Sequence, residues 1–177
     1  MRKVIYAISI TLDGCCDHTK PIVSDETFGD SMQLMRDADL LVYGRKTHQL
    51  MVPYWPDVAK NDPTDEFAAA FVSMNKIVFS RSLKSAEDKN TRIVRTDLGE
   101  EILRLKQEHG KNILVGGVSV PSQLAELGLI DEYKFLVSPV VAGEGRRLLE
   151  GVKGLQLRLV ESRSFESGHV SLRYVKS

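Results

Sequence analysis

The chain has 177 residues, 42% apolar and 27% charged, and its 24 basic and 24 acidic side chains cancel. That length suits one domain that buries a core without disulfide or metal staples. Balanced charge excludes the basic field that gathers nucleic acid and the polybasic arm that reaches a membrane surface.

No apolar run approaches the ~20 residues of a membrane span. The start, Arg2-Lys3 followed by apolar residues 4–8, is too short for a secretory leader, and Asp13-Gly14 follows in place of a cleavage site. The expected location is the cytoplasm. Cys15 and Cys16 are the only cysteines, and adjacent thiols rarely pair. The four histidines have no ligand spacing, so no metal is expected.

Residues 4–10 form the first of several short β-rich runs, repeated at 40–43, 76–79, 92–94 and 112–115. None alternates cleanly between apolar and polar, as in strands buried on both faces of a largely parallel sheet. Between them lie stripes of helical spacing: Phe28, Met32 and Met35; Phe67, Phe71 and Met74; Leu98, Ile102 and Leu105; Val120, Leu124 and Leu127. Residues 57–63 read as a loop. The last third predicts strands at 132–137, 155–164 and 170–175, with Ser167-Gly168 as a hairpin turn. The expected fold is a three-layer α/β/α domain over residues 1–177, with a mixed, mostly parallel central sheet and an antiparallel C-terminal hairpin.

Three strand-to-loop junctions should share the sheet edge where α/β proteins bind ligands. At Gly44-Arg45-Lys46-Thr47-His48 a strand ends, a glycine turns, and a helix opens with free amides, which is an anion site. At Ser80-Arg81-Ser82 an arginine flanked by hydroxyls suits a phosphate. At Val115-Gly116-Gly117-Val118-Ser119 two glycines admit a ligand to the backbone, and the next helix offers its dipole. Neither a G-x-G-x-x-G fingerprint nor a P-loop is present, so a nucleotide would be held by separate loops.

Those junctions, in order with Thr11-Leu12-Asp13-Gly14, Asp131-Glu132 and the 139–145 segment, resemble the dihydrofolate reductase-like superfamily. Within it the chain looks most like the branch containing the reductase domain of the bifunctional riboflavin-biosynthesis deaminase-reductase (RibD C-terminal domain). The resemblance implies an NADPH-dependent reductase that passes hydride to a C=N or C=O group of a small heterocyclic or sugar-like substrate. The type reaction is that of 5-amino-6-(5-phosphoribosylamino)uracil reductase. A dihydrofolate or pterin reductase, and a non-catalytic NADPH-binding protein, stay open as alternatives.

It further implies that Gly44, Arg45, Lys46 and Thr47 hold cofactor phosphates and that Ser80, Arg81 and Ser82 contact the 2′-phosphate. Val115, Gly116, Gly117, Val118, Ser119 and Val120 would cradle NADPH, with a cis peptide between Gly116 and Gly117. Ile8, Ser9, Asp13, Phe28 and Trp55 would meet substrate, and Asp13 would donate or orient the proton. A homodimer is implied. No H-x-E with P-C-x-x-C precedes the first strand, so deamination is not expected.

Overall fold

The short apolar runs become the middle of one sheet. The computed structural model describes every residue except Val23 and Glu87. Along the chain run β1 (Val4–Thr11), a 3-10 turn (Asp25–Thr27), α1 (Phe28–Arg36), β2 (Ala38–Gly44), α2 (Arg45–Asn61), α3 (Glu66–Ser73) and β3 (Asn75–Phe79). There follow β4 (Thr91–Val94), α4 (Leu98–Gln107), β5 (Asn112–Val115), α5 (Ser119–Glu126), β6 (Glu132–Ser138), β7 (Leu157–Ser164) and β8 (Val170–Lys176). The sheet order is β4-β3-β2-β5-β1-β6-β8-β7. Strands β4 through β6 run parallel, and β8 is antiparallel to both β6 and β7.

Successive side chains of a strand point to opposite faces, and here both faces are covered. Val4 and Tyr6 join Val42, Ile113 and Val115 against Ile102, Leu105 and Leu124 of α4 and α5. Ile5 joins Leu41, Val78 and Leu114 against Met35, Val52 and Phe71 of α1, α2 and α3. This double burial is why the runs lack alternation. Toward the antiparallel end the sheet turns polar. Glu132 lies 2.7 Å from Lys3 and 3.7 Å from Arg173, which reaches Glu161 at 3.0 Å, a charge ladder across β6, β8 and β7.

The loop expected at 57–63 is corrected over 57–61, and only residues 62 and 63 lie outside helix. Helix α2 runs through Pro53 and Pro56 to Asn61. Each proline removes an amide from the helix ladder, yet His48 and Val52 stay buried beneath it and Trp55 packs beside them. Burial of that face outweighs the local penalty.

Candidate active site

The parallel strands end along one edge, where the three junctions meet. Gly44 is the N-cap of α2 and Val118 that of α5, and neither cap is a side-chain acceptor. By contrast, Asp65 caps α3 at the Ala68 amide and Asp97 caps α4 at the Glu100 amide. The first amides of a helix need acceptors. Helices α2 and α5 therefore present open donors and positive dipole ends. The two ends adjoin: a Cβ on Gly44 would lie 3.5 Å from Ser119 Oγ and from Val120 Cγ2.

The 116–117 peptide is trans, which corrects the expected cis bond. Gly117 makes the turn with φ 80° instead, while the Gly116 amide donates to the Val42 carbonyl at 2.9 Å. A Cβ on Gly117 would overlap Thr47 Oγ1. The Tyr6 hydroxyl donates to the Gly117 carbonyl at 3.0 Å, and burial pushes its pKa up, so it stays a donor. Gly116 is different. It lacks positive φ, and a Cβ there would meet nothing within 4 Å. Neither conformation nor packing asks for glycine at that position.

The second junction joins the first through Arg45, which donates to Ser82 Oγ at 3.0 Å. Ser80 Oγ accepts from the Ser82 and Leu83 amides. Lys46 and Arg81 are exposed. Sequence reasoning missed Arg95, which follows β4 and donates to the Leu83 carbonyl at 2.7 Å. A signal for it exists in the sequence: β2, β3 and β4 are each followed by an arginine within two residues. Three guanidinium groups thus line neighbouring strand ends.

Beside this edge the sheet splits. β1 pairs with β5 only as far as Tyr6↔Val115, but with β6 as far as Thr11↔Ser138. The Ile113 amide bonds the Lys3 carbonyl, and the Asp131 amide bonds the Val4 carbonyl. Odd-numbered residues of β1 therefore turn their peptide groups toward β5. Beyond the last pair, the Ala7 carbonyl and both peptide groups of Ser9 face a crevice with no strand partner among the described residues. Ser9 is exposed although β1 is a central strand, and Ile8 packs on the opposite core.

Thr47, which meets Gly117, shares a helix face with Leu50 and Tyr54 at i+3 and i+7. Leu50 is 52% exposed and Tyr54 58%. Sequence reasoning missed both, although their spacing from Thr47 marks them. Trp55 takes a different direction from the one expected. Its ring lies 4.7 Å from Phe67 and 6.2 Å from Phe71, so it faces α3. Phe28 opens α1, part-exposed.

The sequence profile of the RibD C-terminal domain matches residues 2–171. This chain belongs to the RibD C-terminal domain family. It is 33% identical over 181 residues to the uncharacterized protein YyaP of Bacillus subtilis (strain 168), covering 98% of this chain and 94% of that one. The fold is shared with a diaminohydroxyphosphoribosylaminopyrimidine deaminase/5-amino-6-(5-phosphoribosylamino)uracil reductase from Thermotoga maritima. There the TM-score is 0.73 at 18% identity, over 99% of this chain and 57% of that one. It is shared also with dihydrofolate reductase from Enterococcus faecalis complexed with NADP(H), with TM-score 0.65 at 16% identity, over 99% and 96%.

Within this RibD C-terminal domain, Asp13 sits on the loop after β1 and is turned to the loop after β6. Its carboxylate accepts from Thr11 Oγ1, from the Ala142 amide at 3.0 Å and from the Gly143 amide at 2.9 Å. The Thr11 hydroxyl and those two amides hold its pKa well below the usual carboxylate range. Of the two roles expected of Asp13, donating or orienting the proton, these hydrogen bonds to an ionised carboxylate favour orienting. Arg147 donates to the Asp13 carbonyl, and the Leu12 and Val140 backbones pair, so the two loops form one clasp. Around α1, Glu26 accepts from the Ser167 amide and Asp30 pairs with Arg163, both at the β7–β8 end. Asp131 and Glu132 serve ion pairs with Lys106 and Lys3 at the far edge of the sheet.

Proposed function

We propose that this domain is an NADPH-dependent reductase that passes hydride to a C=N or C=O group of a small heterocyclic or sugar-like substrate, as in 5-amino-6-(5-phosphoribosylamino)uracil reduction. The observation that carries this reading is the adjoining pair of helix N-termini, α2 and α5, without side-chain caps, beside a glycine the fold does not need. A pyrophosphate fits that donor set. Gly44, Arg45, Lys46 and Thr47 would hold it with Val115, Gly116, Gly117, Val118, Ser119 and Val120. Ser80, Arg81 and Ser82 would take a 2′-phosphate, the guanidinium by paired hydrogen bonds.

Bound NADPH supplies the hydride. The chain supplies position. The Ala7 carbonyl and the Ser9 peptide groups offer one amide-binding edge in the crevice. Leu50 and Tyr54, exposed on the Thr47 face of α2, would shield the bound ligand from water, with Phe28 as the proposed substrate contact on α1. Asp13 orients the clasp, and the proton reaches the substrate through water. A folate-type substrate has less support, because Glu26 and Asp30 are already engaged at the β7–β8 end. The homodimer rests on the family resemblance alone, and sedimentation equilibrium decides it.

The test is direct. NADPH at ~100 Kd should add about 2.7 kcal/mol of stability. A melting temperature that NADPH leaves unmoved defeats the reading. NADPH absorbance followed with dihydrofolate and with a phosphoribosylamino-pyrimidine then separates the substrate classes.

A further inference from the structure

Most arginines of this chain meet a carboxylate. Arg36 pairs with Glu66, Arg92 with Glu101 and Arg163 with Asp30. The arginines that follow β2, β3 and β4 break that pattern. Among the described residues, Arg45, Arg81 and Arg95 have no carboxylate within ion-pair distance. Asp97, two residues beyond Arg95, is turned to the Glu100 amide as the cap of α4. Three cations at adjacent strand ends, with no counter-ion among them, focus a positive field on one place. An anion arriving there meets no competing carboxylate.

Arg95 is bonded to the turn after β3 itself. Its Nη2 donates to the Leu83 carbonyl at 2.7 Å. The Leu83 amide donates to Ser80 Oγ at 3.0 Å, and the Ser80 amide donates to the carbonyl of Val94, the residue before Arg95, at 3.1 Å. Residues 80–83 and 94–95 therefore close one ring of hydrogen bonds. The Leu83 side chain packs on the core beneath α2 and α3, which anchors the far end of the turn. From α2, Arg45 reaches the same turn at Ser82 Oγ, 3.0 Å away. Two guanidinium groups thus hold consecutive residues of the turn that carries Arg81. A guanidinium has five N–H donors, so one bond to Leu83 leaves the others of Arg95 for a ligand.

We infer that Arg95 is a specificity-determining residue of the cofactor site: it fixes the 80–83 turn through the Leu83 carbonyl and brings a third unpaired charge to the 2′-phosphate beside Arg45 and Arg81. The inference rests on the NADPH reading above and deepens it. In that reading the turn takes the 2′-phosphate alone. NADH carries a hydroxyl in its place, so what Arg95 adds is felt by NADPH only.

The test measures Kd for NADPH and for NADH in the wild-type chain, in Arg95→Gln, in Arg95→Lys and in Arg158→Gln. In Arg95→Gln, NADPH should bind about tenfold more weakly, the equivalent of one charge-assisted hydrogen bond, with NADH unchanged. Arg95→Lys keeps the charge and should lose less than about threefold. Arg158 lies on β7, at the other end of the sheet. Arg158→Gln should move neither constant, which separates a charge at the turn from the net charge of the chain. Arg95 is exposed, so its variants should melt with the wild type. Equal loss of both cofactors in Arg95→Gln, or an unchanged ratio, overturns the role. So does a lysine variant as weak as the glutamine one, or an Arg158→Gln that loses NADPH equally. A wild type that binds both cofactors alike sinks the NADPH reading and this inference with it. A wild type that prefers NADPH, with the preference intact in Arg95→Gln, sinks the inference alone.

Discussion

Gly116 and Gly117 are neighbours with opposite reasons for being glycine. Gly117 is required by its positive φ and by the Thr47 hydroxyl. Gly117→Ala should therefore destabilise the chain by about 1–3 kcal/mol in denaturant unfolding. Gly116 is required by neither. Gly116→Ala should leave stability within about 0.5 kcal/mol and weaken NADPH binding about tenfold, so a variant that is both stable and tight-binding removes the cradle from the reading. Asp13 supports a different experiment. Its lowered pKa means the clasp is complete at neutral pH and fails only as pH falls below the usual carboxylate range. Asp13→Asn should cut turnover about tenfold while NADPH affinity moves less than about threefold, because loop closure and not cofactor contact is lost. At this scale the placement of these glycines and arginines directly after strands was legible, because the apolar runs that precede them mark where the strands end. The direction of Trp55 was not, because one step along a helix turns a side chain by roughly a quarter-turn, and only the structure shows its ring packed on Phe67 and Phe71.

Strands β1, β2, β3 and β5 fall within a few residues of the runs read from sequence, since double burial leaves an unbroken apolar signature. Helix α2 is the counter-example. Pro53, Pro56 and a polar surface mimic a loop, and only the packing of Val52 and Trp55 shows otherwise. Helix α4 carries a pH prediction. Glu101, with a 9% exposed side chain, is bonded by Arg104 at 3.0 Å and by Arg92 at 2.5 Å. Arg104 first, then Arg92, lower its pKa from the usual 4.5 to about 2. A depressed carboxylate stabilises the fold above its unfolded value, and that contribution disappears as pH falls through the folded one. Glu101→Gln should thus be less stable than wild type by on the order of 2 kcal/mol at pH 7. The gap should close between pH 4.5 and about 2 in thermal melts.

Across the whole molecule the division of labour follows the sheet. One edge gathers the open helix ends and the arginines, and the far edge holds ion pairs such as Lys106 with Asp131. The alternation of strand and helix, then an antiparallel pair, was readable because each change of spacing is local. That β1 lies between β5 and β6 was not, since strand order is decided by contacts far apart in sequence. No described helix is long and apolar enough to cross a membrane.

The parting of β1 from β5 after Tyr6 has a consequence for deuterium uptake. Peptide groups inside a paired sheet exchange only when the sheet opens. Along β1 that protection should break off on one side: the Ser9 amide, facing the crevice, should label early in the free protein, while the Ile8 and Ile10 amides, bonded toward β6, label late. A ligand lodged against the crevice should slow Ser9 selectively. Labelling followed residue by residue, with and without NADPH, would then report occupancy of the split from inside the strand, and equal rates along β1 in the free protein would show that the split is closed.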